Sequence, residues 1–148
     1  MPTQKKIISI AADHAGYDLK TLLIKFLENQ GYKVNDLGCN SAEKSVDYPD
    51  YANKLAKNIT EKKSEFGVLV CGSGIGVSIA ANRFKQVRAA LCMNAKMAKL
   101  SRLHNDANVI CFGARLISEK SAISALKIFL TTEFEGGRHD GRVAKLSK

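Results

Sequence analysis

Tryptophan is missing from this chain of 148 residues, and aromatic residues of every kind make up only 7%. So thin an aromatic complement leaves single-stranded nucleic acid little to stack on. Long apolar runs are missing too. Nothing approaches the roughly 20 residues that cross a bilayer, and the polar start MPTQKK is followed by only six largely apolar residues, 7–12, too few for a secretory leader. The expected location is the cytosol, with no membrane partner. Cysteines are few and far apart: Cys39, Cys71, Cys92 and Cys111 offer no C-x2-C knuckle for zinc and no cystine framework. Internal repeats, low-complexity tracts and long linkers are also lacking. Acidic residues are the scarcer charge, 14 against 23 basic, for a net charge of +9. That balance favours an anionic partner, either nucleic acid or a phosphorylated metabolite. Lys5, Lys6, Lys54, Lys57, Lys62 and Lys63 are scattered as solvated faces are, which speaks against nucleic acid.

What is present is ordinary for a globular protein: 45% hydrophobic and 25% charged residues, enough for one domain over 1–148 with its own core. Short apolar runs at 7–12, 32–37, 66–71, 88–92 and 109–112 read as strands. They are mostly unalternated and rich in Ile, Val and Ala, as strands covered on both faces are. Between the first two, Leu19, Leu22, Leu23, Phe26 and Leu27 recur at helical spacing and Gly31 marks a helix stop. Further helices are expected after Asp47-Tyr48-Pro49 and over 75–84, 95–103 and 118–131. Strands separated by single helices predict an α/β fold: a three-layer α/β/α sandwich around a five-stranded, parallel, Rossmann-like sheet, with a C-terminal helical extension.

Ligands of such sheets collect beyond the carboxyl ends of the strands. The loops there read Asp13-His14-Ala15-Gly16, Cys71-Gly72-Ser73-Gly74-Ile75-Gly76 and Gly113-Ala114-Arg115, while His104-Asn105-Asp106 precedes the last strand. The glycine-rich loop lies between a buried strand and a helix, so its N–H groups can cradle an anion. A dinucleotide fingerprint would need glycine where Val77 stands, and a P-loop would need Gly-Lys-Ser/Thr. A cofactor-free anion site fits better. Cys71 ends the strand beside those N–H groups, where a helix end stabilises a thiolate, so it is a candidate base. Asp13-His14 and His104-Asn105-Asp106 are equally common as helix caps, although histidine is the likeliest proton donor. In the tail, Arg138 and Arg142 would share a face if the segment is helical and could clamp a phosphate; the same residues would suit a plain basic surface.

Taken together and in order, these motifs resemble the ribose-5-phosphate isomerase B group, which includes galactose-6-phosphate isomerase subunits. The resemblance rests on Asp13-His14-Ala15-Gly16, Asp47-Tyr48-Pro49, Cys71 to Gly76 followed by Ser78-Ile79-Ala80-Ala81-Asn82, Ser101-Arg102-Leu103-His104-Asn105-Asp106, and Gly136-Gly137-Arg138-His139. It implies interconversion of ribose 5-phosphate and ribulose 5-phosphate through ring opening and an enediolate, without metal or organic cofactor. By the same resemblance Cys71 is the base, His104 the ring-opening acid with Asp13 nearby, and Gly72, Ser73, Gly74, Ile75 and Gly76 hold the enediolate. His14, Arg138 and Arg142 correspond to phosphate ligands, Asn105 and Arg115 to further substrate contacts, and Tyr48 to a pocket wall. One branch uses a glutamate at the position of Val77; valine moves no proton, which places this chain in the cysteine branch. The group works as a homodimer or tetramer, with His104, Asn105 and Arg115 expected to reach a site whose base lies on the other subunit. Two alternatives remain at this level: a six-carbon sugar phosphate such as galactose or allose 6-phosphate, and a non-enzymatic nucleotide or nucleic-acid binder.

Overall fold

A computed structural model describes residues 6–147. Strands β1 (Ile7–Ala12), β2 (Lys33–Asp36), β3 (Phe66–Cys71), β4 (Ala89–Leu91) and β5 (Val109–Gly113) alternate with helices α1 (Tyr17–Asn29), α2 (Tyr48–Thr60), α3 (Ile75–Ala81), α4 (Ala95–Asn105) and α5 (Glu119–Thr131). A short 3-10 turn, His14–Gly16, leads into α1, and α6 (His139–Leu146) closes the chain. All strand pairings are parallel, in the order β2-β1-β3-β5-β4. Among the described residues no helix is long and apolar enough to cross a membrane.

Period-two alternation sorts the strands' side chains into two cores. Ile8, Ile10, Ala12, Val68, Val70, Ile110 and Phe112 face α1, α4 and α5. Ala11, Leu69, Cys71, Val109 and Cys111 face α2 and α3. The partition follows from handedness. Crossovers that step toward β2 (α1, α4) and those that step toward β4 (α2, α3) must lie on opposite faces if each is right-handed. The chain leaves β1 in one direction and β3 in the other, so the strand order reverses between them and opens a crevice at their carboxyl ends.

Several expected boundaries shift by a few residues. β2 and β4 are shorter than the apolar runs that announced them, and α3 ends at Ala81 rather than 84, where Asn82 turns to bond both the N–H and C=O of Ala89. α4 continues past 103 to Asn105 and is stopped by Asp106, whose φ of 46° breaks helical geometry. Arg102, 7% exposed, fastens this end: Nε donates to Thr132 O at 3.0 Å, and Nη1 donates to Asp106 Oδ1 at 2.8 Å and Ala107 O at 2.6 Å. The buried guanidinium thus has acceptors on three sides, as burial of a charge requires.

Candidate active site

Cys71 is the last residue of β3, at the crevice, and is 4% exposed. Its Sγ accepts a hydrogen bond from the Gly74 N–H at 3.1 Å. Gly74 has φ 77°, and a Cβ there would come within 2.6 Å of Leu91 and 2.8 Å of the Phe112 backbone, so only glycine lets the loop turn back onto the sulfur. Neither the Gly72 nor the Ser73 N–H has a protein acceptor among the described residues. The Ile75 N–H donates to Ser73 Oγ at 3.2 Å, leaving that hydroxyl's own proton free to be donated.

A cleft of ≈ 320 Å³ opens beside the sulfur, lined by Asp13, Tyr48, Gly72, Ser73, Gly76, Arg115 and Leu116. The Tyr48 ring rests on Gly76, where any side chain would meet it at 2.6 Å, and the Arg115 guanidinium lies over Gly72. Asp13 is 7% exposed and spends Oδ1 on the Gly16 N–H at 3.1 Å, so it is a turn cap and a cleft wall at once. His14 is held from behind: its Nδ1 accepts the Val46 N–H at 3.1 Å, which puts the proton of the neutral ring on Nε2.

His104 is elsewhere. With Asn105, His139 and Arg142 it lines a second cleft, of ≈ 280 Å³. The topology forbids the two from meeting in one chain. α4 runs back against the strands, so its last turn lies at the amino edge of the sheet, where Asn108 bonds Gly67 and Arg88. Cys71 lies at the carboxyl edge. Gly67 pairs with Val109 and Cys71 with Gly113, four residues on, which separates the edges by roughly 13 Å.

Of the expected site residues, Cys71, Ser73, Asp13, Tyr48, Gly72, Gly76 and Arg115 converge, while His104, Asn105 and Arg142 gather apart from them. Arg115 departs from its expected grouping with His104: it stands over Gly72 in the Cys71 loop of its own chain, because it closely follows β5, the neighbour of β3. Gly74 is buried beneath the loop, and Ile75, 49% exposed, faces away from the cleft lining. Arg138 and Arg142 do not both sit in one helix, since α6 begins at His139; Arg138 is its N-cap and reaches Glu135 at 3.7 Å. Val77 is fully buried in the cluster that contains Cys71.

His139 is part of the Gly136-Gly137-Arg138-His139 motif, but the sequence assigns it no role of its own. It is 5% exposed and its ring stacks on His104, centroids 4.5 Å apart at 16°. Burial first, then the Arg138 and His104 charges, holds its pKa below the usual imidazole range. Among the described residues, His104, Glu135 and His139 are the side chains able to converge on a metal ion. Burial pushes the Cys92 thiol up to about 11 and the Cys111 thiol well above its ordinary value, which keeps both protonated.

The profile of the family described as Ribose/Galactose Isomerase matches residues 8–146. An Escherichia coli protein named ribose-5-phosphate isomerase B is 39% identical over 142 residues, covering 96% of this chain and 95% of its own. The solved ribose 5-phosphate isomerase of Thermotoga maritima superposes with a TM-score of 0.95 at 44% identity, over 97% of this chain and 99% of that one. Ribose 5-phosphate isomerase B of Anaplasma phagocytophilum gives 0.91 at 51% identity, over 96% and 97%. With nearly its whole length matched in sequence and in fold, the chain belongs to the ribose/galactose isomerase family.

Proposed function

We propose that this chain is a cytosolic, single-domain aldose–ketose isomerase that interconverts ribose 5-phosphate and ribulose 5-phosphate. It acts as a homodimer in which the Cys71 cleft of one copy is completed by the His104 cleft of the other. The observation that carries the reading is the Cys71 thiol at the strand-order reversal, beside an open cleft with unspent N–H donors. Exposed Ile75 and Ile79 flank the Cys71 loop and exposed Leu146 borders the His104 cleft, so apolar surface adjoins both half-sites, as a contact between copies requires.

The chemistry follows from the groups present. His104 protonates the ring oxygen of the furanose while Asp13 accepts the proton of the anomeric hydroxyl; the bond between C1 and the ring oxygen breaks and the open aldehyde results. The Cys71 thiolate, held by the Gly74 N–H, removes the proton from C2. Charge moves to the oxygen at C1, where the Gly72 and Ser73 N–H groups and the Ser73 hydroxyl stabilise the enediolate. Each such donor is worth roughly 2.7–4 kcal/mol. Return of the proton from Cys71 to C1, with transfer of the O2 proton to O1, gives the ketose. His14 Nε2, Arg138 and Arg142 bind the remote phosphate, and that binding orients the reacting carbons. Arg115, Asn105 and Tyr48 contact the sugar.

The test is ketose formation from ribose 5-phosphate by the purified chain, with and without chelator, beside galactose 6-phosphate and allose 6-phosphate. Chelator-resistant turnover of the pentose is expected. Turnover of a hexose phosphate alone would move the reading to that substrate, and no turnover of any of the three would end it.

A further inference from the structure

Three side chains from three different elements meet at the amino edge of the sheet: His104 from the last turn of α4, Glu135 from the connector, and His139 from the first turn of α6. One nitrogen of each imidazole and one carboxylate oxygen of Glu135 all lie within 4.8 Å of one another. The arrangement is built rather than incidental. The Glu135 N–H donates to Leu103 O at 3.1 Å, pinning the connector to the end of α4, and the His139 N–H donates to Gly136 O at 3.1 Å as α6 begins. Arg102 in turn fixes the end of α4 itself. His139 is 95% buried by its 5% exposure, yet its Nε2 has no hydrogen-bond partner among the described residues. A buried ring nitrogen without a partner is costly, and a ligand would relieve it.

We propose that His104, Glu135 and His139 form a binding site for a divalent transition-metal ion of the zinc type, and that occupancy inhibits the enzyme by taking His104 as a ligand. Two imidazoles and one carboxylate are a donor set that zinc accepts, leaving a fourth position for water. Tetrahedral bonds of about 2.0–2.1 Å require donor atoms closer than 4.8 Å, so the site closes around the ion. Two features permit closure. Glu135 is exposed and flanked by Gly136 and Gly137, both at positive φ, and the stacked imidazoles turn about χ2, a broad torsion, to present their lone pairs. Glu135 must give up Arg138, a 3.7 Å pair between exposed side chains that is worth little. Arg142 lines the same cleft and opposes a cation, which sets a limit on affinity and makes the site a reversible brake rather than a permanent metal centre.

The inhibitory half of this proposal rests on His104 being the ring-opening acid, while the binding half does not. Isothermal titration of the full chain with Zn²⁺ should show one ion per chain. Glu135→Gln and His139→Asn should each weaken binding about tenfold or more, and Cys71→Ser should leave it unchanged. In turnover assays Zn²⁺ should inhibit the wild type, chelator should restore full activity, and Glu135→Gln should need about tenfold more zinc for the same inhibition. Should His139→Asn fail to fold, exposed Glu135→Gln carries the test alone. Absence of zinc binding, binding indifferent to Glu135→Gln, or binding lost in Cys71→Ser would overturn the site. Binding lost in Glu135→Gln with no effect on wild-type turnover would overturn the inhibition and count against His104 as the acid.

Discussion

Cys71 carries the sulfur to which we assign the proton transfer, and its setting differs from that of Cys92 and Cys111. Cys92 and Cys111 are sealed among apolar side chains, whereas the Cys71 sulfur meets an N–H at 3.1 Å and opens on a cleft. Cys71→Ala should lower kcat by about 10²–10⁴-fold or more while calorimetry still detects substrate binding. Undiminished turnover would remove it as the base. Cys92 makes the opposite prediction, about stability. Its folded pKa is raised from 9.0 to about 11, chiefly by burial, so above pH 9 the unfolded chain releases a proton that the folded chain keeps. The contribution is present below pH 9 and is lost as pH rises toward 11. It amounts to on the order of 2 kcal/mol. Urea midpoints taken at about pH 8 and about pH 10.5 should fall more for the wild type than for Cys92→Ala.

Elements act as rulers that place these residues. β3 and β5 end side by side, and a Cβ on Gly113 would come 2.4 Å from Ser73 O. Gly113→Ala must therefore push the Cys71 loop outward. Destabilisation of about 1–3 kcal/mol is expected, with kcat reduced by about 10²-fold because the N–H donors move relative to the substrate. Thermal melting separates the two effects from each other. At the start of α4, Asn94 Oδ1 accepts the Met97 N–H at 2.8 Å, and Asn94→Ala should cost about 1 kcal/mol, a loss readable in the urea midpoint. That helix carries His104 on its far turn, and its length decides where that imidazole sits. The sequence pattern ended α4 two residues early because Asn and Asp signal termination, and it did not register that Arg102 clamps the final turn.

For the whole molecule, the division of site residues between the two edges of one parallel sheet is the dominant fact. If Cys71 and His104 are the base and the acid, as proposed, a second copy is needed to complete either site. Mixing Cys71→Ala with His104→Asn after subunit exchange should restore activity from two inactive proteins. Random pairing makes half the dimers mixed, each with one intact site of two, so about one quarter of wild-type turnover should return. No recovery would rule out the shared site. Much of the architecture was legible along the chain. The five strands, their parallel sense, the glycine-rich loop and the candidate base follow from apolar runs, helical spacing and turn residues, all of which are local in sequence. Spatial company was not. That Arg115 stands over Gly72, that His139 stacks on His104, and that His104 lies at the far edge from Cys71 depend on which strands become neighbours and which way each helix runs. Those relations arise only when residues distant in the chain are packed together, because right-handed crossovers and burial of both sheet faces select the strand order, and no local pattern encodes it.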